Sequence, residues 1–360
     1  MSISRALNPF TRIPTIMTAE EIIEFAHAKS KKLSMKSSKR IDKMGRVRIR
    51  EIARLQEFAK LVKNKLTEFV ENFPTLDRLH PFYLELTEIL VGTDRLKQSL
   101  GAIYNSIPAI DKILDDHLEA MKLANDHNQL KRSRSAAKGR IASVVRATSK
   151  NLDFIIEAKK KLALLPGIMP DSPTIVCAGF PNVGKSTLVR EVSTAEPEIA
   201  YYPFTTKNVI IGHLKVRSHR VQIVDTPGIL DRPMSQRNEI EKQAITALKY
   251  LADVIIFMID PSEACGWNLD EQINLLREVQ RMFPIIPILI VLNKIDIAPP
   301  EKLEDARRLL PNAYEIVATT TKGVDELLQD AIEEVDLESL QDSIERHVAS
   351  LRDRKSGTSD

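Results

Sequence analysis

The stretch Gly179-Phe180-Pro181-Asn182-Val183-Gly184-Lys185-Ser186 decides how this chain folds. It has the form G-x-x-x-x-G-K-[ST] and lies between a short apolar run, 174–178, and a segment of helical character. A strand, a glycine-bearing loop and a helix in that order predict a phosphate-binding loop. Backbone amides curl around phosphate oxygens, and glycine lets the main chain approach them closely. In such a loop Lys185 reaches the β- and γ-phosphates, and the Ser186 hydroxyl takes one Mg2+ position. Gly179, Phe180, Pro181, Asn182, Val183, Gly184 and Thr187 complete the predicted contact set. A plain glycine turn beside a surface lysine is the competing reading, and it predicts no matching motifs further along.

Such motifs follow in order. Short apolar runs at 221–224, 254–259, 287–292 and 315–317 alternate with helical segments. That alternation predicts an α/β domain with a mostly parallel sheet over 174–335. Asp225-Thr-Pro-Gly228 closes the run at 221–224, 40 residues after Lys185. Asp225 there can hold a Mg2+-bound water, and the Gly228 amide can meet a γ-phosphate. Between them lies Tyr202-Pro-Phe-Thr-Thr-Lys207. A threonine in this loop completes the Mg2+ shell only while the γ-phosphate is present, which makes an order–disorder switch. Thr205 and Thr206 both qualify; Thr206 is taken as the ligand, and Thr205 equally suits the entry to a strand. Lys185, Thr206 and Gly228 are thus the candidate catalytic set.

Asn293-Lys-Ile-Asp296 follows the run 287–292. A buried carboxylate at Asp296 can accept both hydrogens of the guanine edge, which adenine does not present. Asn293 would brace the loops, and Lys294 would lie along the base. Ala318, with Thr319, follows the last predicted strand and could offer an amide to the guanine carbonyl.

Upstream, Leu165-Pro-Gly-Ile-Met-Pro-Asp-Ser-Pro173 reads as a linker, because its prolines and glycine break any helix. Residues 1–164 before it read as an all-helical bundle. Thr18-Ala-Glu-Glu21 fits a capping box. Ile52, Leu55, Phe58, Val62, Leu66 and Phe69 recur at helical spacing until Pro74. Further helices are expected over 82–100, 108–125, 129–147 and 150–164, and one more over 337–351 in the segment 336–360.

The net charge of +3 conceals two unlike halves. Residues 1–170 carry 31 Lys and Arg against 19 Asp and Glu, whereas residues 171–360 carry 21 against 30. Basic residues concentrate at 29–54 and at 131–146. Such density suits phosphate neutralisation on folded RNA; few aromatics interleave, so base stacking is not the expected mode. A solvated helical surface and an anionic membrane surface are the alternatives. Cys177 and Cys265 cannot build a disulfide scaffold, and the histidines show no metal spacing. No apolar run approaches the roughly 20 residues that span a bilayer, and the first residues lack a signal-peptide core. A cytoplasmic protein is expected.

The ordered set GFPNVGKS, YPFTTK, DTPG and NKID resembles the switch domain of the Obg-like, translation-factor class of P-loop GTPases. The stretches VSTAEPEIAYYPFTTKNVIIGHL (192–214) and DTPGILDRPMSQRNEIEKQAITAL (225–248) are similar to the nucleolar GTP-binding protein (Nog) family within it, in its compact archaeal form. The resemblance implies an N-terminal helical bundle followed by a P-loop GTPase domain, with GTP or GDP and Mg2+ as cofactors. It implies slow GTP hydrolysis in assembly of the large ribosomal subunit, with precursor particles, ribosomal RNA and ribosomal proteins as partners. No stable membrane association is expected, and the protein is expected to be monomeric off the ribosome. Ile229 stands where related switches carry a water-positioning glutamine, and isoleucine cannot hydrogen-bond a water. Asn182 matches an asparagine that holds potassium in some GTPases with this kind of loop, where the cation replaces an arginine finger. Val317 departs from the usual serine of the last motif, which weakens the assignment of Ala318. A nucleotide-dependent scaffold without hydrolysis, and a GTPase of RNA modification or membrane targeting, stay open as alternatives.

Overall fold

The computed structural model describes residues 8–33, 42–169, 172–200, 202, 208–216, 219–226, 228 and 230–335. The helix expected over 337–351 lies outside these residues. The chain divides into two compact units, and neither is one continuous segment. One comprises Pro9–Arg78 and Leu90–Ala163; the other includes Leu79–Ile89 and the chain from Leu164 onward.

The first unit is helical. Helix α1 (Ala19–Lys31) begins with the expected capping box: Thr18 Oγ1 accepts the Glu21 amide at 3.3 Å, and the Glu21 carboxylate accepts the Thr18 amide at 2.7 Å. Helix α2 (Lys43–Glu71) starts at Asp42, whose side chain accepts the Gly45 amide. Its stripe of Leu55, Phe58, Val62, Leu66 and Phe69 is fully buried, and each such side chain contributes about 1.5–3 kcal/mol through removal from water.

The segment expected as one helix over 82–100 is two: α3 (Pro81–Val91) and α4 (Thr93–Asn105). Gly92 between them has φ +77°, a conformation no right-handed helix can contain. Helices α5 (Ile107–Leu123), α6 (His127–Ala147) and α7 (Ser149–Leu162) follow. Helix α2 packs against α1, α5 and α6, and α4 packs against α7.

Most of α3 belongs to the second unit. Phe82, Tyr83 and Leu86 are buried there. The Tyr83 hydroxyl lies 2.9 Å from Pro166 O and 3.0 Å from Ile168 O, and it accepts the Ile168 amide at 3.1 Å. The proline-rich stretch is therefore held rather than free. Met169 exchanges two hydrogen bonds with the buried carboxamide of Gln222, and Asn8 donates to Leu165 O at 2.9 Å.

A seven-stranded sheet organises this unit. Its strands are β1 (Thr174–Ala178), β2 (Glu198–Ala200), β3 (Val209–Val216), β4 (His219–Asp225), β5 (Val254–Ile259), β6 (Ile288–Asn293) and β7 (Tyr314–Ile316). The order is β2-β3-β4-β1-β5-β6-β7, antiparallel at the β2-β3-β4 edge and parallel elsewhere. Strands β1 and β5 are buried throughout, which accounts for their unbroken apolar runs. The accompanying helices are α8 (Lys185–Val192), α9 (Glu239–Ala247), α10 (Leu269–Met282), α11 (Pro300–Leu309) and α12 (Val324–Glu333). Strand β1 lies between β4 and β5, so the chain leaves its carboxyl end where the strand order reverses. Open parallel sheets bind ligands at that crevice.

Candidate functional site

The loop from Gly179 to Gly184 is shaped by three left-handed residues: Gly179 at φ +127°, Asn182 at +63° and Gly184 at +110°. A Cβ at Gly179 would collide with the Met258 carbonyl oxygen, and one at Gly184 with the Asn293 carboxamide. Both glycines are thus required by packing as well as by the turn. Asparagine tolerates the left-handed region better than most residues. Phe180 is buried and stacks on Trp267, with ring centroids 4.4 Å apart, so the tryptophan packs against the loop.

Lys185 opens α8 and is buried; its Nζ donates to Gly179 O and Phe180 O at 2.9 Å each. The ammonium is therefore held within the loop. Ser186 Oγ donates to Asp225 Oδ2 at the end of β4. Thr226 is buried and donates to Cys177 O at 3.0 Å, anchoring the start of the DTPG turn to β1. Burial, reinforced by the Asp225 charge, pushes the Cys177 thiol far up, so it is an inert core group.

A cavity of about 510 Å³ opens at this place. Asn182, Lys185, Ser186, Asp225, Asp231 and Lys294 are among the residues that line it. Of the phosphate-side residues expected from the sequence, Pro181, Asn182, Gly184, Lys185, Ser186, Thr187 and Asp225 line it, whereas Gly179, Phe180, Val183 and Gly228 are not among its lining residues. Thr205, Thr206 and Ile229 lie outside the described residues.

Asn293 is buried and bridges two loops: Nδ2 donates to Val183 O at 2.8 Å, and Oδ1 accepts the Ala318 amide at 2.9 Å. The Ala318 amide, expected to meet a base carbonyl, is engaged by Asn293 in this structure. Thr319 is exposed beside it. Lys294 has φ +63° and donates to Asn182 O and Asp260 Oδ2, both at 2.7 Å. Asp296 is exposed, where the sequence reading expected a buried carboxylate. It lies in the turn beyond the end of β6, where the sheet no longer covers side chains.

Three residues of this region escaped the sequence reading. Asp260 is fully buried after β5 and also accepts the Ser262 and Cys265 amides, at 3.0 and 2.9 Å. Its position, an acid directly after a buried strand, repeats that of Asp225 and could have flagged it. Asp231 accepts the Gly228 amide at 2.7 Å. Arg237 is buried, donates to Gly228 O at 2.9 Å and lies 3.6 Å from Asp231 Oδ1. No spacing rule marks these last two.

The two basic clusters of the helical unit come together on α2 and α6. Glu51 on α2, with its side chain 9% exposed, pairs with Arg50 and Arg54 at 3.3 Å and with Arg134 of α6. Burial raises the Glu51 carboxyl, but the Arg134 hydrogen bond and the charges of Arg134 and Arg54 outweigh it and leave it lowered. Arg146 pairs with Glu20 at 2.7 Å. Part of the basic density therefore serves the bundle itself. Lys36, Lys39 and Arg40 of the first cluster lie outside the described residues.

Comparisons with known proteins bear on both units. Residues 10–168 match the family model of the NOG1 N-terminal helical domain, and residues 239–296 match that of nucleolar GTP-binding protein 1. The chain is 36% identical over 302 residues to an uncharacterized protein of Methanocaldococcus jannaschii, covering 84% of this chain and 85% of that one. It is 32% identical over 305 residues to nucleolar GTP-binding protein 1 of Drosophila melanogaster, covering 85% of this chain and 47% of the relative. It thus spans about half the length of the named relatives it matches. A crystal structure of a nucleolar GTP-binding protein 1 candidate from Plasmodium falciparum is 33% identical, covers 53% of this chain and all of that one, and superposes with a TM-score of 0.42. With a helical N-terminal unit, a mostly parallel sheet behind a G-x-x-x-x-G-K-S loop and the family-model and sequence matches over both, the chain belongs to the nucleolar GTP-binding protein 1 family.

Proposed function

We propose that this protein binds GTP and GDP with Mg2+, hydrolyses GTP, and acts as a switch in assembly of the large ribosomal subunit. One observation carries the nucleotide reading: Lys185, Ser186 and Asp225 meet at the carboxyl edge of the sheet beside a loop of left-handed residues. Hydroxyl and carboxylate oxygens suit a hard cation, so Ser186 would bind Mg2+ directly and Asp225 through a water. The ion would neutralise charge between the β- and γ-phosphates. Lys185 would trade its loop carbonyls for phosphate oxygens, and Gly228 would meet the γ-phosphate with its amide. Asn182, exposed at the cavity, would contact a potassium ion if turnover is stimulated by one. Asp296 lies open at the surface and would read the guanine edge.

The basic faces of α2 and α6 support docking on ribosomal RNA and protein, as a cytoplasmic factor that is monomeric off the particle. Among the described residues no helix is long and apolar enough to cross a membrane. Single-turnover hydrolysis, with and without large-subunit precursors and potassium, tests the whole reading. Loss of γ-phosphate that accelerates with the particles is the expected result. No hydrolysis under any condition leaves a nucleotide-dependent scaffold, and binding to anionic vesicles but not to large subunits rejects the ribosomal assignment.

A further inference from the structure

Asp231 is placed where a bound phosphate would be received. Its Oδ2 accepts the Gly228 amide at 2.7 Å, and the residue lines the same cavity as Lys185, Ser186 and Asp225. The side chain is only 7% exposed, so the bond is shielded from competing water. Its other oxygen faces Arg237, whose side chain is 1% exposed. Arg237 also donates to Gly228 O at 2.9 Å and to Arg232 O, so Gly228 is held at both its amide and its carbonyl.

The Gly228 amide has one hydrogen to give. The proposed function assigns that hydrogen to a γ-phosphate, whereas here an anionic side chain holds it. A carboxylate at an amide is a charge-assisted acceptor of the same kind as a phosphate oxygen. GDP has no group that claims this amide and leaves the bond intact. GTP must break it and must also bring its terminal phosphate into a cavity that already holds the Asp231 charge. Unlike Asp225, Asp231 has no assigned metal; its counter-charge is Arg237, 3.6 Å from the oxygen that does not hold the Gly228 amide.

We propose that Asp231 is a specificity-determining residue that discriminates against GTP in favour of GDP by competing with the γ-phosphate for the Gly228 amide. Arg237 is its positioning residue: it keeps the carboxylate near Gly228 and fixes the carbonyl of the same residue. The inference rests on the proposed nucleotide reading. It makes the triphosphate-bound state depend on a partner or condition that draws Asp231 away.

The test is titration of the full chain, in Mg2+, with GDP and with the non-hydrolysable analogue GppNHp, for wild type, Asp231→Asn and Asp231→Ala. Removing the charge is expected to raise GppNHp affinity relative to GDP by about tenfold, the scale of one charged hydrogen bond, with GDP affinity unchanged. Asp231→Asn keeps the side chain's shape, so it decides the matter if the alanine variant fails to fold. An unchanged ratio in a variant that binds both nucleotides overturns the proposal. A fall in the ratio also overturns it, because Asp231 would then assist the γ-phosphate. Wild type binding neither nucleotide refutes the nucleotide reading itself, a distinguishable failure.

Discussion

The carboxamide of Asn293 donates to the carbonyl of Val183 across 110 positions of sequence, at 2.8 Å. Its oxygen accepts the Ala318 amide. One buried side chain therefore joins the phosphate loop to the loop after β7. Asn293→Ala leaves Val183 O and the Ala318 amide without this partner, at roughly 1–3 kcal/mol for buried unpaired groups. Thermal denaturation and nucleotide titration are both expected to show loss, because both loops are released.

Lys185→Ala removes an ammonium that is held by two carbonyls of its own loop. The fold is expected to persist, since the glycine turns and the Asn293 bridge stay in place. Nucleotide affinity is expected to drop by at least about tenfold, the scale of one charged hydrogen bond. A titration matching wild type would remove Lys185 from the phosphate site.

Asp296→Asn tests base reading at an exposed position. The variant is expected to weaken GTP and to prefer xanthosine nucleotides, because the amide pairs with the xanthine carbonyl where the carboxylate paired with the guanine amino group. Exposure predicts that stability is unaffected, so the change shows in competition binding alone. Unaltered guanine preference would show that Asp296 does not read the base.

Glu51 predicts how the helical unit responds to acid. Its carboxyl is held below its ordinary 4.5 by Arg134 and Arg54, despite burial. A group with a lowered folded value stabilises above its unfolded value, and that stability disappears as pH falls through the folded value. Urea denaturation is therefore expected to show a stability loss below about pH 4.5 in wild type that is blunted in Glu51→Gln. At pH 7 the variant is expected to cost about 1–2 kcal/mol, limited because Arg50, Arg54 and Arg134 are partly exposed. An identical pH profile in both proteins would contradict the prediction.

Much of the sheet unit is legible in the sequence. Buried parallel strands need unbroken apolar runs, and β1 and β5 lie where those runs predict. The phosphate loop is legible because only glycine, asparagine and a following lysine meet its geometry. The base side is less so. Asp296 reads as buried only if the turn after β6 is covered, and sequence does not encode that cover. The edge strand β2 is three residues long, too short for a pattern. Asp231 and Arg237 are invisible to spacing because they act on the backbone of one residue, Gly228. The break at Gly92 is visible as a glycine, but Gly101 sits inside α4 without a break, so glycine alone does not mark the joint.

That joint has a consequence for how the chain is made. Leu79–Ile89 emerges from the translating ribosome well before Leu164 and the proline-rich stretch that Tyr83 bonds. During synthesis Phe82, Tyr83 and Leu86 must wait through the rest of the helical bundle before their partners exist. An expression boundary placed in the proline-rich stretch would strand this helix in one fragment and strip the other of its cover. Each fragment would carry an exposed apolar face and tend to aggregate. Co-expressed halves would regain solubility only by reassociating through α3.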